Sequence, residues 1–130
     1  MLSISPIYAS LLIILIIFLA YRVTTFRRSE GISLGDGTSS KAMKSAIRAH
    51  ANAVENIPVA LVLLLMLELN QLAPWILHVF GLSLLISRLA HAWGLSKRNG
   101  PTLGRFYGTL FSWVCMLLMV VVNLLLILSR

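Results

Sequence analysis

Four apolar runs, each about as long as a bilayer is thick, occupy most of this 130-residue chain. They cover roughly residues 5–23, 40–69, 73–95 and 101–128. A helix of about 20 residues, rising 1.5 Å per residue, crosses ~30 Å of hydrocarbon. Lipid offers no partner to a backbone amide, so only helices and closed barrels span it. The period of the runs is helical throughout, and no alternating strand pattern occurs. The reading is therefore all-α: an integral membrane four-helix bundle forming a single domain over 1–130. The composition agrees, with 12% charged residues against about 25% in an ordinary soluble domain. Mean hydropathy is +0.91. No charged segment precedes the first run and no small-residue cleavage pattern follows it, so it reads as a retained span.

Lys and Arg number eleven against four acids. That balance does not point to nucleic acid, because the basic residues sit at the ends of apolar runs, where topology signals and lipid headgroups belong. The first connection, Thr24 to Ser39, and its flanks carry Arg22, Arg27, Arg28, Lys41, Lys44 and Arg48. The third carries Lys97, Arg98 and Arg105, while the second, from Glu68 to Pro74, has no basic residue. By the positive-inside rule the first and third connections are cytoplasmic and both termini lie on the opposite side.

One stretch does not suit lipid. Arg48-Ala-His50-Ala-Asn52-Ala-Val-Glu55-Asn-Ile-Pro58 runs without a break into the apolar residues up to Leu67. Charge at membrane depth costs at least about 2.5–3.5 kcal/mol per residue. Arg48, Asn52 and Glu55, at i, i+4 and i+7, share one helical face; His50 lies about 200° from Arg48 and belongs elsewhere. Pro58 removes one backbone bond and is expected to kink the helix. Arg88 and His91 lie together at i, i+3 on the third run, and Arg105 and Tyr107 open the fourth. Together with Arg22 these groups can surround one positive cavity with a single carboxylate. Such a cavity suits a small anion carrying carboxylates and an amine: arginine forks grip carboxylates and Glu55 takes the ammonium.

Each of these residues has a purely structural reading as well. Arg22 and Arg105 snorkel to headgroups, Glu55 pairs with Arg48 or Arg88, and His91 bonds to a neighbouring helix. Trp75 and Trp93 read as interface anchors, Trp113 as packing, and Glu68 and Asn70 as solvated residues. His78 reads as structural or interfacial, and Gly81 and Ser83 as places of close helix approach. The single cysteine, Cys115, is a buried inert thiol. No phosphate loop, Cys-x-x-Cys or His pair at metal spacing is present, so no metal is expected.

Arg48-Ala-His50-Ala-Asn52-x-x-Glu55-x-x-Pro58 resembles the second-helix signature of the membrane-associated proteins in eicosanoid and glutathione metabolism (MAPEG). Leu34-Gly-Asp36-Gly and Ser87-Arg88-Leu-Ala-His91-Ala-x-Gly94-Leu resemble the bacterial branch of that family. The resemblance covers about Arg22 to Tyr107. It implies a homotrimer in a bacterial inner membrane, with glutathione as co-substrate bound between protomers near the cytoplasmic side. Arg22, Arg48, Asn52, Glu55, Arg88 and His91 match glutathione-contacting positions, and Tyr107 joins them from the fourth run. Arg105 matches, across a gap, the arginine that stabilises the thiolate. Two positions depart from the eukaryotic pattern: Ala51 replaces an Arg and Leu95 a Tyr.

The implied activity is a glutathione transferase or peroxidase acting on a lipophilic electrophile or hydroperoxide taken from the membrane. A thiol titrates near pH 8.5, its thiolate is the nucleophile, and a nearby arginine favours ionisation. The alternatives are a small four-span multidrug-type transporter and a non-catalytic membrane protein. The transporter is disfavoured because Ile7–Ala20 holds no ionisable acid. A haem carrier has only His50, His78 and His91 to draw on.

Overall fold

A computed structural model describes residues 2–97 and 103–129. It contains helices α1 (Ser5–Glu30), α2 (Lys41–Leu69), α3 (Pro74–Lys97) and α4 (Leu103–Leu128), and no strand among the described residues. All four are long and apolar enough to cross a membrane. The basic third connection, with Arg98 and Pro101, and the side chains of Leu95 and Lys97 lie outside the described residues.

Helix α1 does not stop near Val23 but runs on to Glu30. In its polar end the Thr24 and Thr25 hydroxyls donate back to the carbonyls of Ala20 and Tyr21, at 3.1 and 3.0 Å. Gly31 ends it in the left-handed region at φ 67°, its N–H bonded to the Arg27 carbonyl, a conformation that costs glycine little. The first connection is correspondingly short, and it is tied at both ends. Arg27 Nη1 donates to the carbonyl of Gly35 at 3.0 Å. The Glu30 carboxylate accepts from the Ser40 N–H at 2.8 Å. Ser40 in turn caps α2, its hydroxyl accepting from Met43 N at 3.1 Å.

The helices run up and down, with α2 and α3 in the middle. α1 packs on α2 and α3, and α4 packs on α3 and α2; among the described residues the backbones of α1 and α4 do not come close, although Ile4, just before α1, and Tyr8 of α1 share a packed cluster with Cys115 and Met119 of α4. On α2 the buried stripe Met43, Ala46, Ala49, Ala53, Ile57, Ala60, Leu64 and Leu67 keeps helical spacing; its alanines let α1 approach closely. Pro58 lies on the exposed side of α2, and the helix continues through it. The outward faces carry many exposed Leu, Ile, Val and Phe side chains, as lipid contact requires.

Two packed clusters divide the bundle along its length. One, at the end holding both termini, gathers Ile4, Tyr8, Leu64, Leu67, Leu77, Phe80, Leu84, Cys115 and Met119. Glu68 is part-exposed there and does more than face water. Its carboxylate accepts the N–H groups of Ser3, Ile4 and Ser5 at 2.6, 2.8 and 2.7 Å, and the Ser5 hydroxyl as well. It thus satisfies the orphan donors of the α1 N-terminus from the end of α2. Asn70, also expected to be solvated, lies 3.4 Å from Asn123 Oδ1. Tyr8 Oη meets His78 Nδ1 at 3.0 Å, and its ring lies on Gly81, so close that any Cβ there would collide with it. Cys115 is buried, with Sγ 3.7 Å from the Phe80 carbonyl. The other cluster joins Leu12, Leu15 and Leu19 of α1 to Ala49, Ala53, Ile57 and Ala92.

The tightest helix approach is α3 against α4. A Cβ on Gly108 would lie 2.7 Å from the Ser87 carbonyl oxygen and 2.8 Å from His91 N. Those obstacles are backbone and cannot swing away. Gly108→Val is expected to cost about 1–3 kcal/mol, the usual range for overpacking, and to lower the melting temperature in detergent. Gly37→Ala, with nothing within 4 Å of its added carbon, should leave it unchanged.

Candidate ligand site

The buried stripe of α2 leaves Arg48 and Glu55 exposed and Asn52 half-buried beside it. With α2 entering the apolar layer near Arg48, Asn52 and Glu55 lie about 6 and 10 Å deeper at 1.5 Å per residue. Arg48 and Glu55 bond to no other described residue. The ion pair expected between Glu55 and Arg48 or Arg88 is not formed within the protomer. Arg48 and Glu55 are separated by about 10 Å of helix rise, and Arg88 is turned elsewhere.

Among the described residues Arg88 is the buried Lys, Arg, Asp or Glu, only 3% exposed. Its Nε donates to Ser112 Oγ at 2.8 Å, one terminal nitrogen to Asn52 Oδ1 at 2.8 Å, and the other to the Gly108 carbonyl at 3.0 Å. One guanidinium on α3 therefore ties down α2 and two turns of α4. Ser112 also contacts the Ser87 hydroxyl at 2.7 Å and donates to Gly108 O at 2.9 Å. These bonded partners are all neutral. The network is possible only because Gly108 and Ser112 are small enough to bring α4 against Arg88. Neither residue was singled out in the sequence, although Gly104-x-x-x-Gly108-x-x-x-Ser112 is a small-residue stripe of the kind that marks close helix contact.

His91 lies one turn along α3 from Arg88, is 5% exposed, and is within electrostatic reach of both Arg88 and Arg105. Arg105 is half-buried in the first turn of α4, and Arg22 is half-buried in the last part of α1; both make contacts within the protomer. Tyr107 is exposed and stands edge-on to Phe106, ring centroids 5.4 Å apart. It lines one end of an apolar groove of about 550 Å³ between α3 and α4, whose walls include Phe80, Ile86 and Phe111. None of the other seven candidate residues lines that groove. All eight candidates belong to the end of the bundle opposite the chain termini. Arg22 on α1 and Arg105 and Tyr107 on α4 nevertheless sit on helices whose backbones do not come close among the described residues. Trp113, expected to pack inside, is exposed, its indole N–H 3.3 Å from Asn56 Oδ1. Among the described residues no cluster of His, Cys, Asp or Glu could hold a metal ion.

Fold and site together define a four-span membrane bundle with a basic, partly polar end. The family model of MAPEG matches residues 5–125. The chain is 39% identical over 121 residues to the inner membrane protein YecN of Escherichia coli K12, covering 93% of this chain and 90% of that protein. It is similar to the same degree to YecN of an O6:H1 strain of that species. No solved structure matches significantly. The chain belongs to the MAPEG family and is a multi-pass inner membrane protein.

The contrast between Arg88 and its neighbours is measurable without a ligand. Ser112→Ala removes an acceptor from a buried cation and is expected to cost about 1–3 kcal/mol of stability. Arg48→Ala and Glu55→Ala remove no bond within the protomer and should stay within about 0.5 kcal/mol of the parent. Thermal melting of the three purified variants decides this.

Proposed function

We propose that this protein is a membrane glutathione transferase or peroxidase. It binds glutathione between adjacent protomers of a homotrimer and acts on a lipophilic electrophile or hydroperoxide. The observation that carries this reading is the α2 face. A guanidinium, an amide and a carboxylate stand on one face of an apolar helix, in a MAPEG chain, and Arg48 and Glu55 have no partner among the described residues. Groups this costly to insert are retained where something binds them. Glutathione offers the complementary set: two carboxylates, an ammonium, two amides and a thiol.

In this reading Arg48 takes a carboxylate through its planar fork and Glu55 takes the ammonium. Arg22 on α1 and Arg105 and Tyr107 on α4 stand on helices whose backbones do not come close among the described residues, which fits a site completed by a neighbour that brings an α1 and an α4 together. Arg105, the proposed catalytic group, favours the thiolate by its charge. The thiolate then attacks the electrophile to form a carbon–sulfur bond while the leaving group departs with the bond's electron pair. With a hydroperoxide, it attacks the terminal oxygen, the O–O bond breaks and the alkoxide leaves, taking a proton to become the alcohol; the sulfenic acid formed condenses with a second glutathione thiol, giving disulfide and water.

Calorimetry with reduced glutathione tests the site. The parent should show saturable binding, and Arg48→Ala and Glu55→Ala should each weaken it by about 1–3 kcal/mol, the range for a lost charged hydrogen bond. Unchanged affinity in both variants, or no binding by the parent, overturns the reading. The basic end is proposed to face the cytoplasm, as its lysines and arginines imply. A reporter fused to the C-terminus should then be active only in its periplasmic form.

A further inference from the structure

Asn52 is held by Arg88, and that contact determines which way its amide points. The oxygen and nitrogen of an asparagine amide are interchangeable in shape but opposite in chemistry: one accepts, the other donates. A guanidinium has five N–H donors and no acceptor. The amide atom 2.8 Å from the Arg88 terminal nitrogen is therefore the oxygen. No other described group competes for that nitrogen, since the remaining Arg88 nitrogens are committed to Ser112 and Gly108 of α4. Arg88 itself cannot turn away without leaving a buried cation unsatisfied, and it is 3% exposed.

The consequence falls on the other branch of the amide. Asn52 Nδ2 bonds to no described residue, yet no buried side-chain nitrogen or oxygen lacks a partner. The Nδ2 group is therefore not fully buried and bonds to no described residue, and Asn52 shares its helical face with Arg48 and Glu55.

We infer that Arg88 is a positioning residue rather than a ligand contact: by binding Asn52 Oδ1 it presents the Asn52 N–H₂ group outward, so the bound molecule must place a hydrogen-bond acceptor there. This rests on the reading of the α2 face as the glutathione site and adds a polarity to it. Arg48 and Asn52, four residues apart, form a donor pair that takes a carboxylate or a carbonyl. Glu55, one turn deeper, is the acceptor that takes the ammonium. The face thus distinguishes the anionic and cationic ends of its ligand and fixes which end lies deeper. Arg88 sets this from the interior of the bundle without touching the ligand.

Asn52→Asp is the decisive variant, because it keeps the size and shape of the side chain. An aspartate retains an oxygen toward Arg88 and places a second oxygen where the N–H₂ group was. It is expected to hold or raise the melting temperature, through its pairing with Arg88, while weakening reduced-glutathione binding at least tenfold in calorimetry. Binding as tight as the parent's, or tighter, overturns the inference, since it would mean that position 52 acts as an acceptor toward the ligand. Arg88→Lys keeps a cationic donor toward Asn52 Oδ1 and should retain more of the affinity than Arg88→Met. Ser112→Ala removes one of the three Arg88 bonds but leaves the Asn52 contact, and should leave affinity within about threefold of the parent. An equal loss of affinity in Ser112→Ala and Arg88→Met would reduce Arg88 to general stability and overturn the positioning role.

A ligand-free measurement separates this from the glutathione reading. In a double-mutant cycle of melting temperatures, Asn52→Asp should be neutral or stabilising with Arg88 present and destabilising with Arg88→Met. Additive effects show that residues 52 and 88 are not coupled and overturn the inference. Coupling in a protein that fails to bind glutathione leaves the orientation of Asn52 standing and discards only the choice of ligand.

Discussion

The interior of this bundle depends on how one buried cation is satisfied. A guanidinium away from water costs several kcal/mol unless its donors are met, and lipid cannot meet them. Arg88 reaches its acceptors only if α2 supplies Asn52 at the same level and α4 comes close enough to supply Ser112 and the Gly108 carbonyl. Those requirements fix the register of three helices against one another. The small residues on the facing side of α4 follow from the same requirement, since a side chain at position 108 would strike the α3 backbone.

The two ends of the bundle solve different problems. At the end holding the termini the packing is apolar, and polar groups serve to close helix ends, as Glu68 does for α1. At the other end the buried surface of α3 turns polar, with Ser87, Arg88 and His91 inside. On α2 the polar groups lie beside the buried stripe instead, and there the charges of Arg48 and Glu55 are left without partners among the described residues. A membrane protein gains nothing in stability from such groups. Their retention fits a site where a second protomer or a charged ligand provides what the single chain does not.

Most of the architecture was legible in the residues. Four apolar runs at bilayer length permit little except four helices, and membership of the MAPEG family is written in the polar positions of α2 and α3. The spacing of Arg48, Asn52 and Glu55 puts them on one face wherever α2 is helical, as it is over Lys41–Leu69, because helical periodicity is a local property. Less legible was anything that depended on contact between helices. Glu68 sits at a helix end, where exposure to water is the usual outcome, and only the fold brings the α1 N-terminus to it. Trp113 lies deep in an apolar run, and nothing in a nearly uniform run of that kind tells the lipid face from the packed face. The apolar run at 5–23 did not reveal that α1 stays helical to Glu30, because hydropathy marks a span and not the end of a helix.

The sequence by itself determined the class of the protein: the number of spans, the basic end, the family, and the face of α2 that carries charge where lipid would reject it. These follow from composition and from periods set by backbone geometry. Only the tertiary structure decided that Arg88 looks inward while Arg48 and Glu55 look out. All three are ionisable residues at membrane depth, and their sequence neighbourhoods do not separate them. What separates them is whether an oxygen from another helix stands within hydrogen-bond distance, and that depends on how closely α3 and α4 approach at Gly108.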